Sequence, residues 1–207
     1  MQTSSRNIAA FTLIELLVVI AIIIILAGLL FAGLRGAQEQ ARRTQAKNDL
    51  TQIVTAVNAY YTEYGKYPLP AGTTTDTTYG SGSNAELFYT LRAVAGGTMN
   101  AGNAANLRKI VFISPPDAKD QTNSRSGIKT SDGQWYDPWG TPYNVEIDGN
   151  YDNQILVNPY ALNAGATPLQ IGVIAWSFGS DTQSQSVPGP AADKKAGTND
   201  DDVISWQ

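Results

Sequence analysis

The sequence predicts an α+β protein, with one long N-terminal helix packed on a small C-terminal antiparallel β-sheet. Three observations carry that expectation. An almost unbroken apolar run fills "AAFTLIELLVVIAIIIILAGLLFAGLRGA", Ala9 to Ala37, and a helical-period stripe follows it to Tyr64. The last third of the chain then holds short alternating segments bounded by turn residues. At 207 residues the chain is long enough for one core with appendages and too short for a large two-domain enzyme.

The apolar run comes first. From Leu16 to Leu34 no side chain is charged or strongly polar. About 19 residues rising ~1.5 Å each span roughly 28 Å, the hydrocarbon thickness of a bilayer. A secretory signal peptide has a shorter apolar region, ~7–15 residues, with a small-residue cleavage site after it. A retained membrane helix is therefore expected. Glu15 stands near its start, and a carboxylate at the bilayer centre costs ~2.5–3.5 kcal/mol. Near a helix end it can snorkel to the interface, with Arg6 and the initiator amine as partners, or it can have a task of its own.

Beyond the run, Leu50, Ile53, Val54, Val57, Tyr61 and Tyr64 recur at helical intervals, with Asn48, Gln52, Thr55, Asn58 and Glu63 between them. One helix from about Thr12 to Tyr64 is expected, with Gly65 at C′ and Pro68 preventing continuation. Residues 71–84 read as a turn-rich loop and "AELFYTLRAVAGG" as a short helix with Leu87, Phe88, Leu91 and Val94 on one face. A strand is expected at "KIVFIS", ended by Pro115-Pro116. In "WYDPWGTPYNVEID" the Asp-Pro and Gly-Thr-Pro steps are turn chemistry, and Tyr143, Val145 and Ile147 alternate as a strand does. Asp148-Gly149-Asn150 reads as a hairpin turn into a second strand, Gln154 to Val157; "IGVIAWSFG" and "DVISW" supply two more.

The chain has no cysteine and no histidine, which excludes thiol nucleophiles, thiolate or imidazole metal sites and the Ser-His-Asp arrangement. A formal net charge of −4, with the acids late in the chain, offers no nucleic-acid footprint. A glycosidase would need a carboxylate pair in a pocket-forming context, and none is evident, so no catalytic residues are assigned and the chain reads as a non-enzyme. The acids that do cluster are Asp181 and the run Asp200, Asp201, Asp202, among flexible Gly, Ser and Pro residues. Composition alone is served by a solvated acidic tail or by Ca²⁺, which takes six to eight oxygens at ~2.3–2.6 Å.

"FTLIELLVVIAIIIILAGLL" resembles the N-terminus of type IV pilins and type II secretion pseudopilins. In that superfamily a polar leader is cut before an aromatic residue, the new amine is methylated, and a glutamate stands fifth in the mature chain. The resemblance implies cleavage between Ala10 and Phe11, with Ala10 where the family most often has Gly. It implies methylation of Phe11 and a filament-assembly role for Glu15, facing the Phe11 amine of a neighbouring subunit. It also implies a pilin-like layout: leader 1–10, membrane and assembly half of the helix 11–34, amphipathic half 35–65, globular domain 66–207. The charges after the run, Arg35, Arg42, Arg43 and Lys47, partly offset by Glu39 and Asp49, would by themselves place the globular part in the cytoplasm; the resemblance implies the periplasm.

"DPWGTPY" resembles the "DPWGNPY" segment of the major, G-type pseudopilins of type II secretion. The chain's end can be laid on their calcium-binding segment through Ser177, Gly179, Asp181, Asp200, Asp202, Val203 and Trp206, with Thr182 where the family has Gly. The implied ligands are Asp181, Asp200 and Asp202, with Asp201 a substitute. The function implied is that of a structural subunit of a periplasmic pseudopilus promoting protein export, anchored by a single pass in the bacterial inner membrane before assembly. Its implied partners are further copies of itself, minor pseudopilins, the prepilin peptidase, a platform protein, an assembly ATPase and membrane lipid. The alternative is a type IV pilin of a surface fibre for adhesion, motility or DNA uptake.

Overall fold

The computed structural model describes residues 12–80, 82–161, 164–181 and 201–207, and within them leaves the side chains of 29–33 and 35 aside. Ala10, Phe11 and Asp200 lie outside the described residues, as does Arg6. The chain divides into two units, Met1–Ala41 and Arg42–Gln207, and helix α1, Leu13–Tyr64, contributes to both.

From Leu16 to Leu26 α1 is apolar on every side. Each large apolar side chain from Leu13 to Leu26 is exposed, from 45% at Val19 to 86% at Leu13. Among the described residues no helix is long and apolar enough to cross a membrane. The described side chains of the run end at Gly28 and resume at Leu34.

In the second unit α1 has one buried stripe, Ala46, Leu50, Ile53, Val57 and Tyr60, at spacings of three and four residues that keep a single face toward the core. The helix stops where the sequence predicts. Gly65 takes φ +66° and its N–H donates to the Tyr61 carbonyl at 2.8 Å, a left-handed cap that a β-carbon would strain. The sequence placed Tyr61 on the buried face. It is 41% exposed, and Tyr60, one residue earlier, is buried instead and donates its hydroxyl to the Ala105 carbonyl.

Four strands make the main sheet: β1 (Thr77–Tyr79), β4 (Asn144–Ile147), β5 (Val173–Ser177) and β6 (Val203–Ile204), all antiparallel in the order β1-β4-β5-β6. A separate pair, β2 (Gly127–Ile128) and β3 (Trp135–Tyr136), lies beside it in sequence, and α2 (Ala85–Leu91) precedes both. Val145 and Ile147 of β4, Val173 and Ala175 of β5, and Val203 of β6 pack on the α1 stripe together with Leu87, Phe88, Leu91, Trp135 and Tyr143. The opposite face carries Ile174, Trp176 and Ile204, covered by Ile155, Tyr160, Ala164, Leu169 and Trp206. Every residue of β4 and β5 is consequently buried, so neither strand shows the polar outer face of a half-exposed sheet.

Several expectations change. The "loop" 71–84 contributes edge strand β1. "KIVFIS" is not a strand: its Phe112 and Ile113 amides both donate to the single carbonyl of Leu91, at 2.8 and 3.4 Å, and Pro115-Pro116 allows no ladder to grow. Gln154 to Val157 makes one bridge, Ile155 to Leu169, and the partner of β4 is β5, 25 residues on from Asp148 to Gly172 in sequence. The turn after β4 is closed instead by the Asp148 carboxylate, which accepts from the Tyr151 and Asn153 amides at 2.6 and 2.7 Å. Val94 lies past the end of α2 and is 38% exposed.

Candidate functional site

Two places in the chain concentrate the predicted functional residues. At the helix start, the Thr12 amide and hydroxyl donate to Glu15 Oε2 at 3.0 and 2.8 Å, and the Glu15 amide donates to Thr12 Oγ1 at 3.3 Å. This is a capping box: the side chains at both ends of a Thr-x-x-Glu step satisfy each other's free backbone donors. Glu15 therefore has an intrachain partner in Thr12. The signature is the Thr-x-x-Glu spacing of "TLIE" itself, a local rule. The amine of Phe11 is outside the described residues, so the interchain pairing has no counterpart to compare.

The acidic end is organised by a 3-10 turn, Gly179–Asp181, set against the residues leading into β6. Gly179 has φ +71°, and a β-carbon there would lie 2.4 Å from the Asp201 carbonyl oxygen, so only glycine allows this approach. Asp201 Oδ2 accepts the Ser180 amide, the Ser180 hydroxyl at 2.6 Å and the Asp181 amide at 3.0 Å. One oxygen of Asp201, the implied substitute calcium ligand, thus holds the turn. Asp202 is 4% exposed and its Oδ2 accepts the Tyr160 hydroxyl at 2.5 Å. Burial drives the Tyr160 phenol far above its usual range, and the charges of Asp202, Asp201 and Asp181 add to the effect. Of the predicted ligands, Asp202 is bonded to Tyr160, and Asp181 is tied through its amide to Asp201, the residue before Asp202. Among the described residues no group of three acidic, histidine or cysteine side chains forms a metal-holding cluster, and Asp200 is not one of those residues. The donors present are all oxygens, the set that suits a hard cation.

The "DPWGTPY" loop supports this end of the sheet. Asp137 is fully buried, and its Oδ1 accepts the amides of Trp139, Gly140 and Thr141 at 2.9, 2.7 and 2.9 Å. Its Oδ2 accepts the Thr141 hydroxyl at 2.9 Å and the Ser177 hydroxyl at 2.5 Å, and Ser177 Oγ in turn accepts the Gly179 amide at 3.2 Å. A chain of hydrogen bonds thus runs from the motif to the 179–181 turn. Burial pushes Asp137 upward against the opposing pull of these donors. Beside it, Asp49 of α1 accepts the Tyr143 hydroxyl at 2.8 Å; burial first, then the nearby Asp137 charge, push Asp49 up to about 6 against the pull of that hydrogen bond. Asp49 is only 8% exposed, so it does not serve as a surface offset to the basic residues that precede it. Lys47 is also directed inward: its ammonium donates to the Ile204 carbonyl at 2.7 Å and to the Gln207 carbonyl, fixing β6 on α1. The sequence revealed the turn at Asp137-Pro138 but not the roles of Ser177 and Tyr160, which depend on contacts 40 and 42 residues distant along the chain.

Residues 5–31 match the prokaryotic N-terminal methylation motif, and residues 35–95 match a family described as protein of unknown function (DUF1559). The chain is similar to type II secretion system core protein G of Pectobacterium carotovorum subsp. carotovorum, 38% identical over 58 residues, covering 28% of this chain and 37% of that protein. It is also similar to type II secretion system core protein G of Aeromonas hydrophila, 36% identical over 63 residues, covering 30% of this chain and 44% of that protein. The chain thus spans less than half the length of the curated relatives it matches. No solved structure matches. The methylation motif and these relatives bear out the resemblance carried by "FTLIELLVVIAIIIILAGLL".

Proposed function

We propose that this chain is a pseudopilin: a structural subunit, anchored in the inner membrane through its apolar helix half, that polymerises into a periplasmic filament serving type II secretion. The observation that carries the reading is the pairing of a methylation motif with a helix half whose apolar side chains are exposed on all sides. Such a surface needs either lipid or further copies of itself to cover it. The leader is removed between Ala10 and Phe11, Phe11 is methylated, and the released amine lies close in sequence to Glu15 for pairing between subunits. Intact-mass and N-terminal analysis of the protein from membranes containing an active prepilin peptidase tests this: a methylated Phe11 terminus is expected, and a persistent Met1 would overturn it. Co-purification with the minor pseudopilins, the platform protein and the ATPase is the corresponding expectation for its partners.

Asp181 and Asp202, with Asp200, would hold a calcium ion at the C-terminal turn. Bound there, calcium would neutralise adjacent carboxylates and clamp the end of the chain to the sheet, the task a disulfide performs where cysteines are present. The reading is supported by the all-oxygen donors of this segment, Asp202 beside Tyr160 among them, and by a turn already held by Asp201. Calcium should raise the melting temperature of the full chain in detergent, and Asp202→Asn should remove most of that rise. An equal rise in parent and variant would refute this ligand set.

A further inference from the structure

A groove of about 840 Å³ opens in the globular unit, bordered by α1, by residues 169–173 entering β5 and by residues 205–207. That is the volume of a small-molecule site, and among the described residues no charged side chain lines it. Tyr67 forms part of its wall. Of the five buried tyrosines among the described residues, Tyr60, Tyr79, Tyr143 and Tyr160 all donate their hydroxyls to an acceptor within the chain. Tyr67 is 9% exposed, yet its hydroxyl has no hydrogen-bond partner among those residues and is not sealed from solvent. That hydroxyl lies beside Gly172, where a β-carbon would stand 2.3 Å from it and 3.6 Å from Asn153 Oδ1. Glycine keeps this corner of the groove open. The side-chain amides of Asn58 and Asn153 likewise have no partner among the described residues.

Around this corner the chain keeps aromatic surface. The Tyr67 ring stacks on Tyr151 at 5.6 Å between centroids and lies 4.6 Å from Tyr61, and both neighbours are exposed. Tyr151 takes φ +63°, an outlier for so bulky a side chain, and the Asp148 carboxylate holds its amide there. Trp206 lines the groove elsewhere. An anionic ligand needs a cation, and none of the described lining residues supplies one. A hydroxyl and two carboxamides both donate and accept, which suits a ligand whose own polar groups do both. A sugar has such hydroxyls, together with apolar C–H faces that aromatic rings can cover. The geometry points to a binding site for a neutral oligosaccharide in this groove, held by the Tyr67 hydroxyl and the Asn58 and Asn153 carboxamides, with Trp206 and the tyrosine rings as its apolar surface. The site goes beyond the pseudopilin and calcium readings, since it uses neither the apolar helix half nor any carboxylate.

Calorimetric titration of the full chain tests the proposal, in a detergent without a sugar headgroup and with neutral hexasaccharides of glucose and of N-acetylglucosamine as probes. At least one of the two should bind the parent, one per chain. Tyr67→Phe removes only the hydroxyl, and Asn58→Ala trims an exposed side chain of α1; each should weaken binding about fivefold or more, the worth of one hydrogen bond. Should Tyr67→Phe disturb folding, Asn58→Ala carries the test. No binding of either sugar by the parent would overturn the site, and so would equal binding by the parent and both variants. An uncharged hexapeptide, capped at both ends, is the control: if it binds with the same dependence on Tyr67 and Asn58 while neither sugar does, the groove belongs to a peptide and the proposal fails. Asp202→Asn should leave sugar binding unchanged, so the calcium reading can fail without this one.

Discussion

The two halves of α1 share one backbone conformation and almost nothing else. From Leu16 to Leu26 the side chains are apolar in every direction and exposed; from Ala46 to Tyr60 the buried ones form a stripe with polar residues around it. The difference shows that hydrophobic content does not bury a helix, whereas periodicity does. Ala46, Leu50, Ile53, Val57 and Tyr60 face a sheet of the same chain, while Leu13 to Leu26 have no face to choose. The first half is built for an environment outside the chain, and the second for a core within it.

The largest test of that contrast is truncation on each side. Leu50→Ala, at a fully buried site, should cost about 2–5 kcal/mol of unfolding free energy through lost transfer energy and a residual cavity. Leu17→Ala, 58% exposed, should leave the unfolding of the globular unit within about 0.5 kcal/mol of the parent. Denaturant titration in detergent, followed by tryptophan fluorescence, reads both; equal losses would break the distinction.

Acid–base behaviour sharpens it next. Asp49, raised to about 6, and Glu146, raised to about 7, bind protons more tightly folded than unfolded, since unfolded carboxylates titrate near their ordinary values. Each therefore adds a penalty that is absent below its unfolded value and complete above its folded one. Stability without metal should fall as pH rises from about 4 to about 7. Asp49→Asn keeps an acceptor for Tyr143 and should flatten the lower part of that slope, to about 6. Melting temperatures measured across this range, with chelator present, check it; a slope equal to the parent's would refute the assignment.

The smallest effect concerns the cap. Thr12→Ala removes the hydroxyl that engages Glu15 but leaves the carboxylate, and should weaken the first turn by about 1 kcal/mol, visible as faster amide exchange there. Glu15→Val removes cap and charge together. If filament assembly fails in Glu15→Val but survives in Thr12→Ala, the charge serves a partner beyond the cap. If both fail alike, the cap itself accounts for the requirement.

Much of this architecture was legible because it is local. The helix from about Thr12 to Tyr64, the stop at Gly65, α2, β5 and β6 all follow from periodicity and turn chemistry within a few residues. What was not legible depends on distance along the chain. β1 hides in a Thr-rich segment because three residues form a strand only when β4 pairs with them, 66 to 70 positions away. The reverse error at "KIVFIS" has the same origin: an apolar, β-branched run found no partner strand. Tyr60 rather than Tyr61 faces inward because the stripe follows Ile53 and Val57 at seven and three residues, a one-residue choice that two adjacent tyrosines leave open to pattern reading. At the candidate site the acids were evident, but Ser177, Tyr160 and the inward turn of Asp49 became visible only when the sheet brought them together.

The two edges of the sheet have a further consequence. β1 and β6 are three and two residues long, and both large faces are already covered. A protein that concentrates copies of itself in a fibre would invite rogue strand addition if it offered long open edges. Edges this short give an incoming strand too few backbone partners to hold. In the proposed filament, growth by helices would thus be kept apart from growth by sheets, and the route towards amyloid-like stacking blunted where crowding would be greatest.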